Sequence, residues 1–317
     1  MKRSPQPDFD LISLGECMVE FFSRQPLSHD APTQRFTRTF GGDTLNCLVA
    51  ASRLGSRCGY LTRVGEDPFA EFLLASWRRE GINLDAVRRV PGFNGIYFIS
   101  TTPAGEREFH YYRRGSAASA LRRSDLSRRY LARARALHSS GITQALSPSA
   151  RQCVAHAYRQ AKNLGLLTSF DPNFRPRLWS AEEARAAFAE IVPCLDVVLP
   201  SAPEDTLVLA GTADPRRAID RFWKLGVAIV AVKHGANGCW LGYQGSKEHV
   251  AAFPARVVDS TGAGDAFDGA FLHALALGMP PPQAARLAAA TAALSLKARG
   301  AIAGLPGRGA AYRLAGL

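Results

Sequence analysis

Val258-Asp259-Ser260-Thr261-Gly262-Ala263-Gly264-Asp265-Ala266-Phe267 decides how the rest of this chain is read. The apolar run ending at Val257-Val258 predicts a strand. After it, Ala266, Phe267, Ala270, Phe271, Ala274 and Leu275 recur at helical spacing until Gly278 and Pro280 stop the helix. Gly262 and Gly264 let the backbone approach a ligand, and the amides that open a helix favour an anion. A carboxylate in that turn repels a phosphate, so Asp265 needs another task. It suits a base that takes a proton from a hydroxyl while the amides of Gly262, Ala263 and Gly264 hold a phosphoryl group. The spacing alone equally suits a glycine turn with a first-turn aspartate favoured by the helix dipole.

Upstream, strand and helix patterns alternate. Residues 9–15 read as a buried strand, and Gly41-Gly42-Asp43-Thr44-Leu45-Asn46 opens a helix that Gly55 closes. A strand over 59–64 is followed by a helix from Asp67-Pro68 to Gly81. The rhythm resumes with a strand at 136–141, a helix at 148–164, a strand at 166–170 and a capping box at Ser180-Ala181-Glu182-Glu183. A strand at 196–199 and a helix at 215–225 precede the apolar run Ala228-Ile229-Val230-Ala231-Val232. Gly235-Ala236-Asn237-Gly238 then turns the chain back, and the last helix spans about 282–297. This order predicts an α/β fold with a mostly parallel central sheet and helices outside. The stretches 95–100 and 106–113 break the rhythm as a β-hairpin around Pro103-Ala104-Gly105. With extended pieces at 16–22 and 34–40 the hairpin makes a small sheet able to cover a site, or a surface hairpin without function. Phe21, Phe36, Tyr97 and Phe98 are the candidates for an apolar face on it.

Composition limits the alternatives. The 317 residues are 47% hydrophobic, enough for one large α/β domain with an appendage. No apolar stretch of membrane-spanning length is free of Pro, Gly or charge, and Lys2-Arg3 precede no apolar run before Asp8 and Asp10, so neither a membrane span nor a signal peptide is expected. Six scattered cysteines without C-x-x-C suggest reduced thiols in a cytoplasmic protein. The net charge of +12 comes from 33 Arg and 6 Lys spread over the whole chain. That spread argues for collecting anionic substrates rather than for binding nucleic acid. There is no G-x-x-x-x-G-K-[ST], so a P-loop nucleotide site is not expected.

The stretch Asp259 to Asp265 resembles the C-terminal signature of the ribokinase-like, or PfkB, carbohydrate kinases, with Ser260 where that signature has Thr. The resemblance implies a three-layer sandwich with a small β-sheet lid, Asp265 as catalytic base, and Gly262, Ala263 and Gly264 as the anion hole. It divides the chain into an α/β body (1–15, 41–94 and 115–317) and a discontinuous lid (16–40 and 95–114). The run 41–46 resembles the family's sugar-binding signature, which implies Gly42, Asp43 and Asn46 as sugar contacts. Within the family, Gly15-Glu16-Cys17-Met18-Val19-Glu20, Tyr111-Tyr112-Arg113, Asn173-Phe174-Arg175-Pro176-Arg177-Leu178-Trp179 and Arg299-Gly300-Ala301-Ile302 resemble the members that phosphorylate 2-dehydro-3-deoxy sugar acids. That implies Gly42, Tyr97, Tyr111, Arg113 and Arg175 as contacts to a sugar acid. Asn173, Lys233, Gly235 and Gly238 fall on the ATP side. Two departures stand out. Phe174 replaces a tyrosine, and Ser201-Ala202-Pro203-Glu204 replaces the family's Asn-x-x-Glu, so Glu204 is the expected Mg²⁺-side carboxylate without its usual asparagine. The resemblance further implies ATP and Mg²⁺ and leaves a monovalent cation open. The apolar face and strand edges that a small isolated sheet leaves exposed lead to a homodimer or larger homo-oligomer joined through the lids. A kinase for a neutral sugar such as fructose or ribose, and a catalytically silent sugar-acid-binding protein, are the competing readings.

Overall fold

The computed structural model describes residues 7–23, 33–101 and 107–317. Residues 1–6, the stretch 24–32 of the expected lid and the expected turn at Pro103-Ala104-Gly105 lie outside the described residues.

Among the described residues 10 strands form one sheet. In order across it run Ser246–Val250, Cys239–Tyr243, Ile229–Lys233, Val197–Val198, Leu167–Asp171, Ala134–Ser140, Phe9–Leu14, Cys58–Gly65 and Ile82–Asn83, with Val87–Val90 also paired to Cys58–Gly65. Pairing is parallel from Ile229–Lys233 to the Ile82–Asn83 edge, while Cys239–Tyr243 and Ser246–Val250 are antiparallel to their neighbours. All six residues of Phe9–Leu14 are buried, which a strand covered on both faces requires. One helical layer holds Asp43–Arg53, Ala263–Ala276 and Pro281–Ser295, and its core gathers Leu45, Leu48, Phe267 and Phe271. The other holds Pro148–Asn163, Ala181–Ile191 and Pro215–Lys224 around Val154, Tyr158, Phe188 and Phe222. Helix starts follow local chemistry: Ser180 and Glu183 form the expected capping box, and the Asp214 side chain accepts from the Arg216 amide ahead of Pro215.

A separate sheet of four strands has the order Thr37–Gly41, Met18–Phe22, Ile96–Thr101, Arg107–Tyr112. Its register pairs Glu20 with Tyr97 and Phe21 with Phe98, so neighbours in sequence face opposite ways. Phe21, Phe36 and Tyr112 gather around Phe98 on one face, where Phe36 and Tyr112 are 36% and 63% exposed. Tyr97 belongs to the other face, bonded to Glu20 and stacked on Tyr111 at 5.5 Å. Grouping Tyr97 with the three phenylalanines is therefore corrected by the period-two alternation of the strand.

Other expectations also change. Val257-Val258 is not a strand; both residues are exposed, and the Val258 amide donates to the Leu296 carbonyl at 2.8 Å. Pro254 lacks an amide donor and interrupts any ladder there. The helix at Pro281–Ser295 is not the last, since Arg308–Ala315 follows it. The short helix Glu204–Ala210 and the edge strands Ile82–Asn83, Val87–Val90 and Ser246–Val250 carried too few periodic residues to be read. All six cysteines are free, five of them buried, as their spacing implied. No helix among the described residues is long and apolar enough to cross a membrane.

Candidate active site

Parallel strands end on one side of a sheet, and the loops behind those ends are where open α/β folds place ligands. Here the loops after Phe9–Leu14, Leu167–Asp171, Val197–Val198 and Ile229–Lys233 converge with one face of the small sheet on a cavity of about 1190 Å³. That volume suits a sugar and a nucleotide together. Its lining includes Gly42, Asp43, Asn46, Tyr97, Tyr111, Arg113, Asn173, Arg175, Glu204, Lys233, Gly262, Gly264 and Asp265. Of the expected site residues, Ala263, Gly235 and Gly238 are not among the lining residues. The Ala263 amide donates to Ser260 O at 3.2 Å, within the turn itself. Gly238, at φ 81, is needed by packing: a side chain there would collide with the backbone at Val250.

The turn before Ala263–Ala276 is held from below. Asp259, a residue given no role from the sequence, accepts from the Thr261 and Gly300 amides at 2.7 Å each. Gly262 takes φ 76, and a methyl there would lie 2.7 Å from Ala301 Cβ. Gly269 lets the helix press against Asp43–Arg53, because any side chain would strike the Cys47 carbonyl. This close packing brings together residues 219 apart in sequence: Asn46 Nδ2 donates to Asp265 Oδ2 at 2.7 Å. Burial first, and then the Asp43 carboxylate, raise Asp265 to about 7. A carboxylate tuned there can accept a proton near neutral pH.

Asp43 is pushed upward as well, by burial and by Asp171. Its Oδ1 accepts the Thr44 amide at 2.8 Å and its Oδ2 accepts Asn173 Nδ2 at 3.3 Å. Asn173, expected beside the nucleotide, thus has its amide on a sugar-side residue. Its φ of 39 is a left-handed conformation that Asn tolerates.

Lys233 does not project freely toward a ligand. Its Nζ sits 2.9 Å from Asp171 Oδ2 and 3.0 Å from each Asp268 oxygen. Burial would lower its pKa, but Asp171 and Asp268 outweigh that and hold it above the usual lysine value. One ammonium balances one carboxylate: Asp171 is lowered by Lys233 against its burial, whereas Asp268 is raised by burial. Asp205 braces the loops beside them, accepting the Phe174 amide at 2.8 Å and the Ser201 amide at 2.7 Å, and burial followed by Asp171 raises it to about 6. Asp171, Asp205 and Asp268 went unassigned in the sequence, although the run Asp171-Pro172-Asn173 at a strand end was visible there.

Arg113 is paired with the buried Glu16, whose Oε2 has no hydrogen-bond partner among the described residues. Burial, with Arg175 nearby, lowers Arg113 to about 10. Arg175 differs: it is exposed on the cavity wall, bonds only the Phe174 carbonyl at 3.3 Å, and forms no ion pair among the described residues. For a metal, no group of three His, Cys, Asp or Glu among the described residues forms a cage. Magnesium carried by nucleotide phosphates needs only one or two protein carboxylates and keeps waters. Glu204, at the head of Glu204–Ala210 and on the cavity, is a fitting donor for such an ion.

Comparison with known proteins bears on this site. Residues 8–308 match the pfkB family carbohydrate kinase model. The chain is 34% identical over 311 residues to a 2-dehydro-3-deoxygluconokinase of Thermoproteus tenax, covering 96% of this chain and 94% of that protein. Among solved structures it is similar to a 2-dehydro-3-deoxygluconokinase from Thermotoga maritima, with a TM-score of 0.86, 25% identity and 96% and 99% of the two chains covered. It is also similar to a fructokinase with bound ATP from Xylella fastidiosa, with a TM-score of 0.85, 26% identity and 96% and 98% covered.

Proposed function

This chain belongs to the pfkB family of carbohydrate kinases, and from that we infer that it transfers the γ-phosphoryl group of ATP to the primary hydroxyl of 2-dehydro-3-deoxy-D-gluconate, giving the 6-phosphate. The observation that carries the acid over a neutral sugar is Arg175. An exposed guanidinium without a carboxylate partner, on the same cavity as Asp265, suits an ionised sugar acid.

Asp265 takes the proton of the attacking hydroxyl, and its bond from Asn46 holds the carboxylate in line. The Gly262 and Gly264 amides, at the start of Ala263–Ala276, receive the phosphoryl group as charge develops on it, while the Ala263 amide closes the turn onto Ser260. Gly42, Asp43 and Asn46 hold sugar hydroxyls, with Tyr97 and Tyr111 above them. Arg113 meets the sugar as half of its pair with Glu16, whose spare oxygen accepts a hydroxyl. The nucleotide lies toward the 233–238 turn. There Gly235 and Gly238 set the shape, Asn173 braces Asp43, and Lys233 ties the turn to Asp268. Glu204 would hold Mg²⁺ on the phosphates, and the ion would offset their negative charge during transfer.

The body is 1–15, 41–94 and 115–317, and the lid is 16–40 and 95–114. The lid's outer aromatics, Phe36, Phe98 and Tyr112, are the surface through which two copies join. A sedimentation run at micromolar concentration tests this: a dimer is expected, and Tyr112→Glu should shift it toward monomer. A monomeric wild type contradicts it. The unpaired cysteines support a cytoplasmic home.

Arg175→Ala is the direct test of acid binding. It should raise KM for the keto acid by roughly ten- to a hundred-fold, from a charged hydrogen bond of roughly 1.5–3 kcal/mol, and leave KM for ATP nearly unchanged. An unchanged KM for the acid removes Arg175 from that role. Run in potassium and in sodium salts, the same assay reads any monovalent-cation dependence.

A further inference from the structure

A second cavity, of about 770 Å³, shares no residue with the first. Arginines are spread over this whole chain, but here Arg63, Arg88, Arg89, Arg122, Arg129 and Arg133 converge on one concavity. Two aspartates, Asp85 and Asp125, face them. Asp125 is already engaged: it lies buried under Arg63, which holds it by two bonds of 2.7 and 2.9 Å, and Arg88 reaches it at 3.5 Å. Asp85 lies 3.9 Å from Arg133, whose nearer partner is Asp8 at 2.7 Å. Arg89 pairs with Glu71. Arg122 and Arg129 are exposed and form no ion pair among the described residues. The buried pair is a fixed floor, and the uncompensated charge stands at the rim. Ser124, Ser127 and the Tyr130 side of the wall add polar groups beside it.

The cavity also has a telling place in the chain. Val87–Val90 runs directly on toward Ile96–Thr101, and the chain returns from Arg107–Tyr112 through residues 113–121 to Arg122. One wall is therefore the segment entering the small sheet's hairpin, and the other is the segment leaving it. The two segments are joined at the hairpin's root, where the Ala117 amide donates to Phe93 O at 2.9 Å. Asn94, on the entering segment, bonds both the amide and the carbonyl of Gly65, at 3.0 and 3.1 Å.

We propose that this cavity binds a small phosphorylated molecule, and that drawing its two walls together changes closure of the hairpin over the sugar site. A phosphate group supplies the several anionic acceptors that paired guanidinium forks satisfy, and a concavity of this size takes a metabolite rather than an extended strand. Binding stands apart from the kinase reading; the effect on sugar affinity rests on it. The test is calorimetric titration of the full chain with inorganic pyrophosphate, on wild type and on Arg122→Gln/Arg129→Gln. Both side chains are exposed, so the double variant should fold and keep its kcat and KM in the absence of pyrophosphate. The expected result is binding to wild type that weakens roughly ten-fold or more in the double variant. With free magnesium held constant, pyrophosphate should change KM for the sugar in wild type and not in the variant. Equal affinity in the two proteins would put the ion in the catalytic cavity and overturn the proposal, as would no binding to wild type. A single-stranded oligonucleotide that binds more tightly than pyrophosphate and displaces it would overturn it in favour of nucleic acid. Binding that leaves KM unchanged would overturn the coupling to the hairpin.

Discussion

Asp265→Asn is expected to lower kcat by roughly 10²–10⁴, the usual cost of losing a general base, with KM for the sugar largely kept. The substitution keeps the size of the side chain and an oxygen for Asn46 Nδ2, which now bonds Asp265 at 2.7 Å. What it removes is the capacity to take a proton. The pH dependence gives an independent check. Burial and Asp43 raise Asp265 to about 7, so in wild type kcat/KM should rise with pH through about 7 as the base ionises. Stability should move the other way. The folded pKa lies above the unfolded value of about 3.8, so folding takes up a proton between those two values and stability falls as pH rises through the window. Above it the ionised carboxylate remains beside Asp43 and Asp171. The Asn variant escapes that cost and should be more stable at pH 8 by roughly 1–3 kcal/mol, a figure reduced for the group's opening to the cavity. A variant within a few-fold of wild-type kcat would remove Asp265 from the base role.

Lys233→Met carries the largest expected effect on stability. The ammonium lies 2.9 Å from Asp171 and 3.0 Å from Asp268, both almost fully buried. Removing it leaves two carboxylates facing each other without a cation, and breaking a buried pair in this way costs about 3–5 kcal/mol. In a chain of 317 residues that corresponds to a Tm lower by roughly 5–8 °C. Lys233→Met with Asp171→Asn should recover part of the loss, since Asp171 is the carboxylate that Lys233 holds ionised, while Asp268 is already pushed upward by burial. Asp268 stands three residues after Asp265 on the same helix, so the single variant should also displace the turn and lower kcat. Calorimetry of the three proteins checks this. A Tm unchanged in the single variant, with only KM for ATP raised, would return Lys233 to the direct nucleotide contact that the sequence suggested.

That contrast marks what the sequence could and could not convey. The turn at 259–265 and the parallel core were legible because they are local: glycines at fixed spacing, a 3.6-residue period, and apolar runs such as 228–232. The glycine pair at 41–42 and the hairpin strands at 96–112 were legible for the same reason. The interior charges were not. Nothing local pairs Lys233 with Asp171 and Asp268, or Glu16 with Arg113, because those contacts form only when strand ends from distant segments meet. Glu16 and Arg113 were both in view, yet each was read as an isolated side chain. Arg113, expected as a contact to the sugar acid, is also half of a buried pair with Glu16. The face of Tyr97 depended on strand register, and the fate of Val257-Val258 on a proline three residues upstream of the pair.

The central claim is that this site phosphorylates a sugar acid and selects it by its carboxylate. Its most direct measurement is kcat/KM for ATP-dependent phosphorylation of 2-dehydro-3-deoxy-D-gluconate, fructose and ribose by the same wild-type preparation. The acid should exceed both neutral sugars by roughly ten-fold or more, the worth of at least one charge-assisted contact. Fructose or ribose phosphorylated as well as the acid, or better, would contradict it.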